Sequence, residues 1–152
     1  MTRAHSRGGL TIGTPALALE RRDAIPVWTW IALSGLGLAL VLAVVGLPRA
    51  DIHGPLHYLG VMDPFCGGTR SVYLTMHGRL TEAVRYNPAG PLLVLTAIAM
   101  LARALAGWAT GHWLTLRVSR WILVPIVVVA LIALEVNQQL HAALLTQPWT
   151  GS

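Results

Sequence analysis

The sequence predicts an all-α membrane protein, with three transmembrane helices and a short interfacial or re-entrant helical segment between the first and second. Hydrophobic residues make up 55% of its 152 positions and charged residues only 11%, less than half the roughly 25% of an ordinary soluble domain. The mean hydropathy of +0.61 is gathered into long apolar runs rather than spread along the chain. The first run, residues 25–47, has 23 residues without an ionisable side chain, enough to cross a bilayer as a helix. The alternation of a membrane β-barrel, in segments of about ten residues, is absent.

Residues 1–24 form a polar arm with Arg3, Arg7, Arg21 and Arg22, in which Gly8, Gly9, Gly13 and Pro15 oppose a continuous helix. Such an arm is predicted to be mobile or draped on a partner. The first transmembrane helix, 25–47, has Pro26 in its opening turn and Trp28 and Trp30 at headgroup level, and it stops at Pro48 and Arg49. It is too long for the roughly 7–15-residue apolar region of a secretory signal, and no small-x-small cleavage site closes it. Residues 48–90 form an outer loop with short amphipathic helices. The second helix, 91–108, follows Asn87, Pro88 and Gly90, and its Arg103 is close enough to the end to snorkel. A cytoplasmic loop, 109–120, leads to the third helix, which is uncharged only for the 14 residues from Trp121 to Leu134. That stretch rises about 21 Å, short of the roughly 30 Å hydrocarbon core. The third helix is therefore predicted to span 121–145, through Glu135, Asn137, Gln138 and Gln139, before a tail at 146–152.

All eleven basic residues are arginines, and six acids leave a net charge of +5. These arginines flank the apolar runs, so phospholipid headgroups account for them, and no nucleic-acid-binding module is present. The positive-inside rule places the N-terminus in the cytoplasm, because the arm carries four arginines and the 109–120 loop two, while the tail has none. The single cysteine, Cys66, has no partner in the chain for a disulfide.

The information-rich segment lies in the outer loop. It holds His53, His57 and the run Asp63-Pro64-Phe65-Cys66-Gly67-Gly68-Thr69-Arg70. The pattern from Thr69 to His77 predicts a short helix opened by the Thr69 hydroxyl, with Gly78 breaking it. A second amphipathic piece, 80–86, places Leu80, Ala83 and Val84 on one face, and Asn87-Pro88 ends it.

These residues resemble the small bacterial membrane proteins grouped as domain of unknown function 2752. The family's hallmark is Cys-Pro-x-Cys-Gly-x-Thr-Arg, a short helix, Gly before a charged residue, and Asn-Pro before an apolar span. Here the matching elements are Cys66-Gly67-Gly68-Thr69-Arg70, Gly78-Arg79, Ala83 and Asn87-Pro88, within about Gly60 to Leu101. Asp63 stands where the family has its first cysteine, and the upstream Cys-Pro is missing, with His53 only near its place. The resemblance implies a small bacterial membrane protein and carries no assigned reaction, and with the three apolar runs the expected location is the bacterial inner membrane, multi-pass.

Several side chains are candidates for a role. Cys66, Asp63, His53 and His57 are the weak candidates for a mixed-ligand metal site, and a Cys66 packed as a small apolar side chain is the favoured alternative. No cofactor is expected. Arg70 at a helix start opposes the helix dipole, so it should answer an acid, a carbonyl cluster or a phosphate. Glu135 lies within membrane depth and needs a named partner, for which Arg70 is the expected one. With Cys66, Arg70 and Glu135, the residues Thr69, Asn87 and Pro88 complete the structural or interaction set. No nucleophile-base order, phosphate loop or paired carboxylates point to catalysis. The resulting expectation is a non-catalytic accessory subunit of a larger membrane complex, with respiratory oxidoreductase assemblies the first candidates. The alternative is a stand-alone protein that binds an anionic headgroup or a metal at the outer loop.

Overall fold

The computed structural model describes residues 15–47, 62–147 and 149. His53 and His57, much of the N-terminal arm and part of the 48–90 loop lie outside them. Among the described residues, three helices are long and apolar enough to cross a membrane: α1 (Pro26–Val45), α4 (Ala89–Thr110) and α5 (Arg120–Leu140). Between the first two lies a helical hairpin of α2 (Gly68–Met76) and α3 (Leu80–Tyr86). The class is predominantly all-α, as the apolar runs predict.

Each boundary has a local cause. Pro26 opens α1, and its missing N–H falls where a helix has no acceptor for one. α4 ends at Gly111 in the left-handed region, whose N–H returns to the Gly107 carbonyl. The third apolar helix stops at Leu140, and His141 begins a separate turn, α6 (Ala142–Leu145). The predicted helix through 145 is thus broken near its end, with the His141 N–H shared between the Asn137 and Gln138 carbonyls.

α4 packs against both α1 and α2, and α2 packs equally closely against α3. α4 turns the buried stripe Gly90, Val94, Ala97, Ala104 and Gly107 inward, and small residues at three- and four-residue spacing let backbones approach closely. α5 is different. From Leu123 to Ala133 every residue is exposed, and among the described residues the one fully buried position of the helix is Gln138, in its C-terminal third.

One element has no counterpart in the sequence reading. β1 (Ala16–Glu20), in the supposed arm, pairs antiparallel with β2 (Trp113–Arg117), in the loop between α4 and α5, with Ala18 opposite Thr115. This ribbon lies beside the last turns of α4. The Trp113 ring fills the space over Gly107, and the Leu114 carbonyl accepts from Arg103 Nε.

Arg103 ties this end together. Its guanidinium also donates to Asp23 (2.8 Å) and to the Thr29 hydroxyl (3.1 Å), and it lies over the Trp113 ring, 5.3 Å from the centroid. Asp23 in turn accepts from the Ile25 N–H and the Thr29 hydroxyl. Burial on its own raises the Asp23 carboxyl. The hydrogen bond from Arg103, with those from Ile25 and Thr29, outweighs it and holds the group below the usual carboxylate range. Arg103 therefore does not simply snorkel to water.

Candidate functional site

The opposite end of the bundle holds the turn at 62–68 and the α2–α3 hairpin. The turn forms from local hydrogen bonds: Asp63 Oδ1 accepts from the Phe65 N–H (2.8 Å), the Cys66 N–H reaches the Asp63 carbonyl, and the Gly68 N–H reaches that of Phe65. Gly67 follows with φ of 71°, the left-handed conformation that glycine adopts without steric cost. A Cβ there would also stand 2.6 Å from Leu145 Cδ2 and 2.8 Å from the Tyr86 carbonyl oxygen.

This geometry corrects the expected helix start. α2 begins at Gly68 with Gly67 in the cap position, and no side-chain hydrogen bond caps it. Thr69 is already inside the first turn and exposed, so its hydroxyl is not the cap. The glycine supplies the sharp turn that a capping hydroxyl would otherwise have to stabilise.

Asn87 is the centre of the site. It is buried at the junction of α3 and α4, and its Nδ2 donates to the Pro64 and Cys66 carbonyls, both at 3.0 Å. Its Oδ1 accepts from the Ala89 N–H at 2.9 Å. One amide thus clamps the 62–68 turn to the start of α4, with Pro88 at the N-cap position of that helix. Buried Ser71 completes the clamp by directing its hydroxyl at the Ala83 and Asn87 carbonyls (2.8 and 2.6 Å). A Cβ on Gly90 would collide with that hydroxyl. Of the α3 face predicted to be apolar, only Ala83 is buried, while Leu80 and Val84 are exposed.

Cys66 is buried in a small cluster with Met62 and Leu145, against which Tyr86 and Ala142 pack. Its Sγ lies 3.6 Å from Met62 Sδ. Asp63 is exposed and caps the Phe65 N–H. Among the described residues, no three His, Cys, Asp or Glu side chains group to hold a metal.

Arg70 answers carbonyls. Its Nη1 donates to the backbone oxygens of Gln147 (3.1 Å) and Leu145 (3.4 Å), at the end of α6 and just past it, and its Cζ lies 5.8 Å from the centroids of both Tyr86 and Trp149. Trp149 also meets Tyr73 and Tyr86 edge to face. The expected Arg70–Glu135 pair does not form. Glu135 is ten residues before Leu145 in the chain, about 15 Å along a helix, and Arg70 is engaged at the far end. Glu135 is half-buried and has no hydrogen-bond or ion-pair partner among the described residues. On the same helix face, both amide atoms of buried Gln138 also lack one among those residues.

Residues 55–101 match the model of a family described as Protein of unknown function (DUF2752). The match contains the turn, Cys66-Gly67-Gly68-Thr69-Arg70, the hairpin, Asn87-Pro88 and the first half of α4. Within the matched segment, the side chains that bind backbone groups of other elements are Asn87, Ser71 and Arg70. Sequence reasoning missed Ser71 and, beyond the segment, Trp149. Ser71 has a signal in retrospect, being one of the few small polar residues on the inner face of an amphipathic helix. No curated protein and no solved structure matches the chain.

The contacts of Arg70 predict a latch. Arg70→Ala should free the tail around Trp149, while Arg70→Lys should restore charge but not the two-carbonyl and two-ring geometry of the planar guanidinium. Tail release would be read as faster proteolysis after residue 145 in both variants. Wild-type cleavage rates in Arg70→Ala would refute the latch.

Proposed function

We propose that this chain is a small non-catalytic accessory subunit of a larger membrane complex, with respiratory oxidoreductase assemblies the first to test. The observation that carries this reading is the attachment of α5. A 21-residue apolar helix that is exposed on every face for most of its length and anchored near one end has free surface for a neighbouring helix. The matched segment supports the same reading, because Asn87, Ser71 and Arg70 spend their polar groups on backbone atoms of this chain. On this reading the protein sits in a bacterial inner membrane with its N-terminus cytoplasmic. The ribbon supports that orientation by gathering residues of the arm and of the 109–120 loop, with Arg21, Arg22, Arg117 and Arg120, at one end.

Mild-detergent purification of the tagged protein from its own membranes tests the proposal. Partner subunits in fixed stoichiometry are expected, and they should be lost when apolar α5 positions are exchanged for other apolar residues of different shape. A monodisperse particle holding stoichiometric metal or phospholipid, with no partner, would instead favour a stand-alone role at the outer loop.

A further inference from the structure

We infer that the β1–β2 ribbon is a lipid-contact element, laid in the headgroup layer with its leucine face against acyl chains and its arginines on anionic phosphates. Side chains of a strand alternate between faces, and directly paired residues share a face. The register pairs Leu17 with Leu116 and Leu19 with Leu114, so all four leucines stand on one side. They are 70%, 59%, 72% and 48% exposed, respectively. The other face carries buried Trp113 and Thr115, packed toward α4. The leucine face therefore points away from the protein.

Depth identifies what covers it. Trp113 sits over Gly107, and the Leu114 carbonyl meets Arg103, so the ribbon runs alongside the last turns of an apolar helix and not above them in water. Exposed Trp28, Trp30, Trp108 and Trp121 mark the same end of the three helices, the position of an interfacial aromatic belt. Two short strands also have open backbone edges, which the headgroup layer can hydrate and the hydrocarbon core cannot. Charge complements this placement. Arg21, Arg22 and Arg120 are exposed, and Arg117 is paired with Glu20 at 2.6 Å, while Asp23 is neutralised by Arg103. An apolar face with a basic rim at the headgroup boundary suits an anionic leaflet. This inference does not depend on the accessory-subunit reading.

The test uses the full-length protein in vesicles of phosphatidylcholine with and without phosphatidylglycerol. Leu17→Cys and Leu116→Cys would carry an environment-sensitive fluorophore, with parent protein as the control for labelling at Cys66. Leu19→Cys and Leu114→Cys provide a second pair should either first variant elute as aggregate. Blue-shifted emission, loss of iodide quenching and strong quenching by acyl-brominated lipid are expected. Arg21→Gln/Arg22→Gln should reduce the phosphatidylglycerol that copurifies without altering phosphatidylcholine. Labels that remain iodide-accessible in vesicles of both compositions would overturn the inference. So would labels that are wet in vesicles and shielded only in native membranes, which would assign the face to a protein partner.

Discussion

Arg103→Gln is expected to destabilise the protein by roughly 2–3 kcal/mol, between the small worth of an exposed ion pair and the larger cost of breaking a fully buried one from one side. The two side chains are only 10% and 14% exposed, so the Asp23 carboxylate would stay in place without its counter-charge, and Thr29 Oγ1 and the Leu114 carbonyl would each lose a donor. Asp23→Asn should cost a similar amount, and the double variant clearly less than the sum. The network also sets an acid limit. Because folding lowers the Asp23 carboxyl from its ordinary 3.8, its contribution is fully present above that value and disappears as pH falls through the lower folded value. Thermal unfolding in detergent should show this acid sensitivity in wild type and a weaker one in Asp23→Asn. Additive single-variant costs would show that the two groups do not act as a pair.

Asn87→Ala is expected to cost about 3 kcal/mol or more, since the Pro64 and Cys66 carbonyls and the Ala89 N–H all lose a buried partner at roughly 1–3 kcal/mol each. Asn87→Asp, nearly the same shape, should be no better. It retains the acceptor for Ala89 but presents oxygen to two carbonyl oxygens, which favours a protonated carboxyl or an open turn. Ser71→Ala should cost less, because the Ala83 carbonyl keeps its Asn87 N–H partner. Unfolding midpoints for the three variants, measured together with protease sensitivity at 62–68, test the order. A stable Asn87→Asp would mean that the amide does not clamp the turn.

The three membrane-crossing helices were legible because a long uncharged run has few other physical solutions. The ribbon was not. Ala-Leu-Ala-Leu-Glu is only five residues of alternation, alanine carries little strand preference, and its partner begins at Trp113, far along the chain. Arg70 illustrates a different limit. That it needed acceptors was readable from its position at a helix start, but backbone carbonyls exist at every residue and leave no side-chain signature, whereas Glu135 was conspicuous. Asn87-Pro88 could be recognised as a helix stop, and its second role as a clamp required knowing that the 62–68 turn folds back onto it. Trp149 and Ser71 went unnoticed for the same reason: their roles arise from contacts distant in the chain.

The span of these contacts also constrains the order in which the chain is built. Arg103 and Asp23 are 80 residues apart, and Arg117 and Glu20 are 97 apart. During synthesis the arm leaves the ribosome with no strand to pair with, and it gains its ion-pair partner only when α4 has been delivered to the bilayer. The arm's last residues then close onto the loop that precedes α5. A chain arrested after Gly111 would possess Arg103 and Asp23 but neither Trp113 nor the second strand, so the ribbon closes only after the second helix has been made, and a timed translation experiment would show whether it closes before the third.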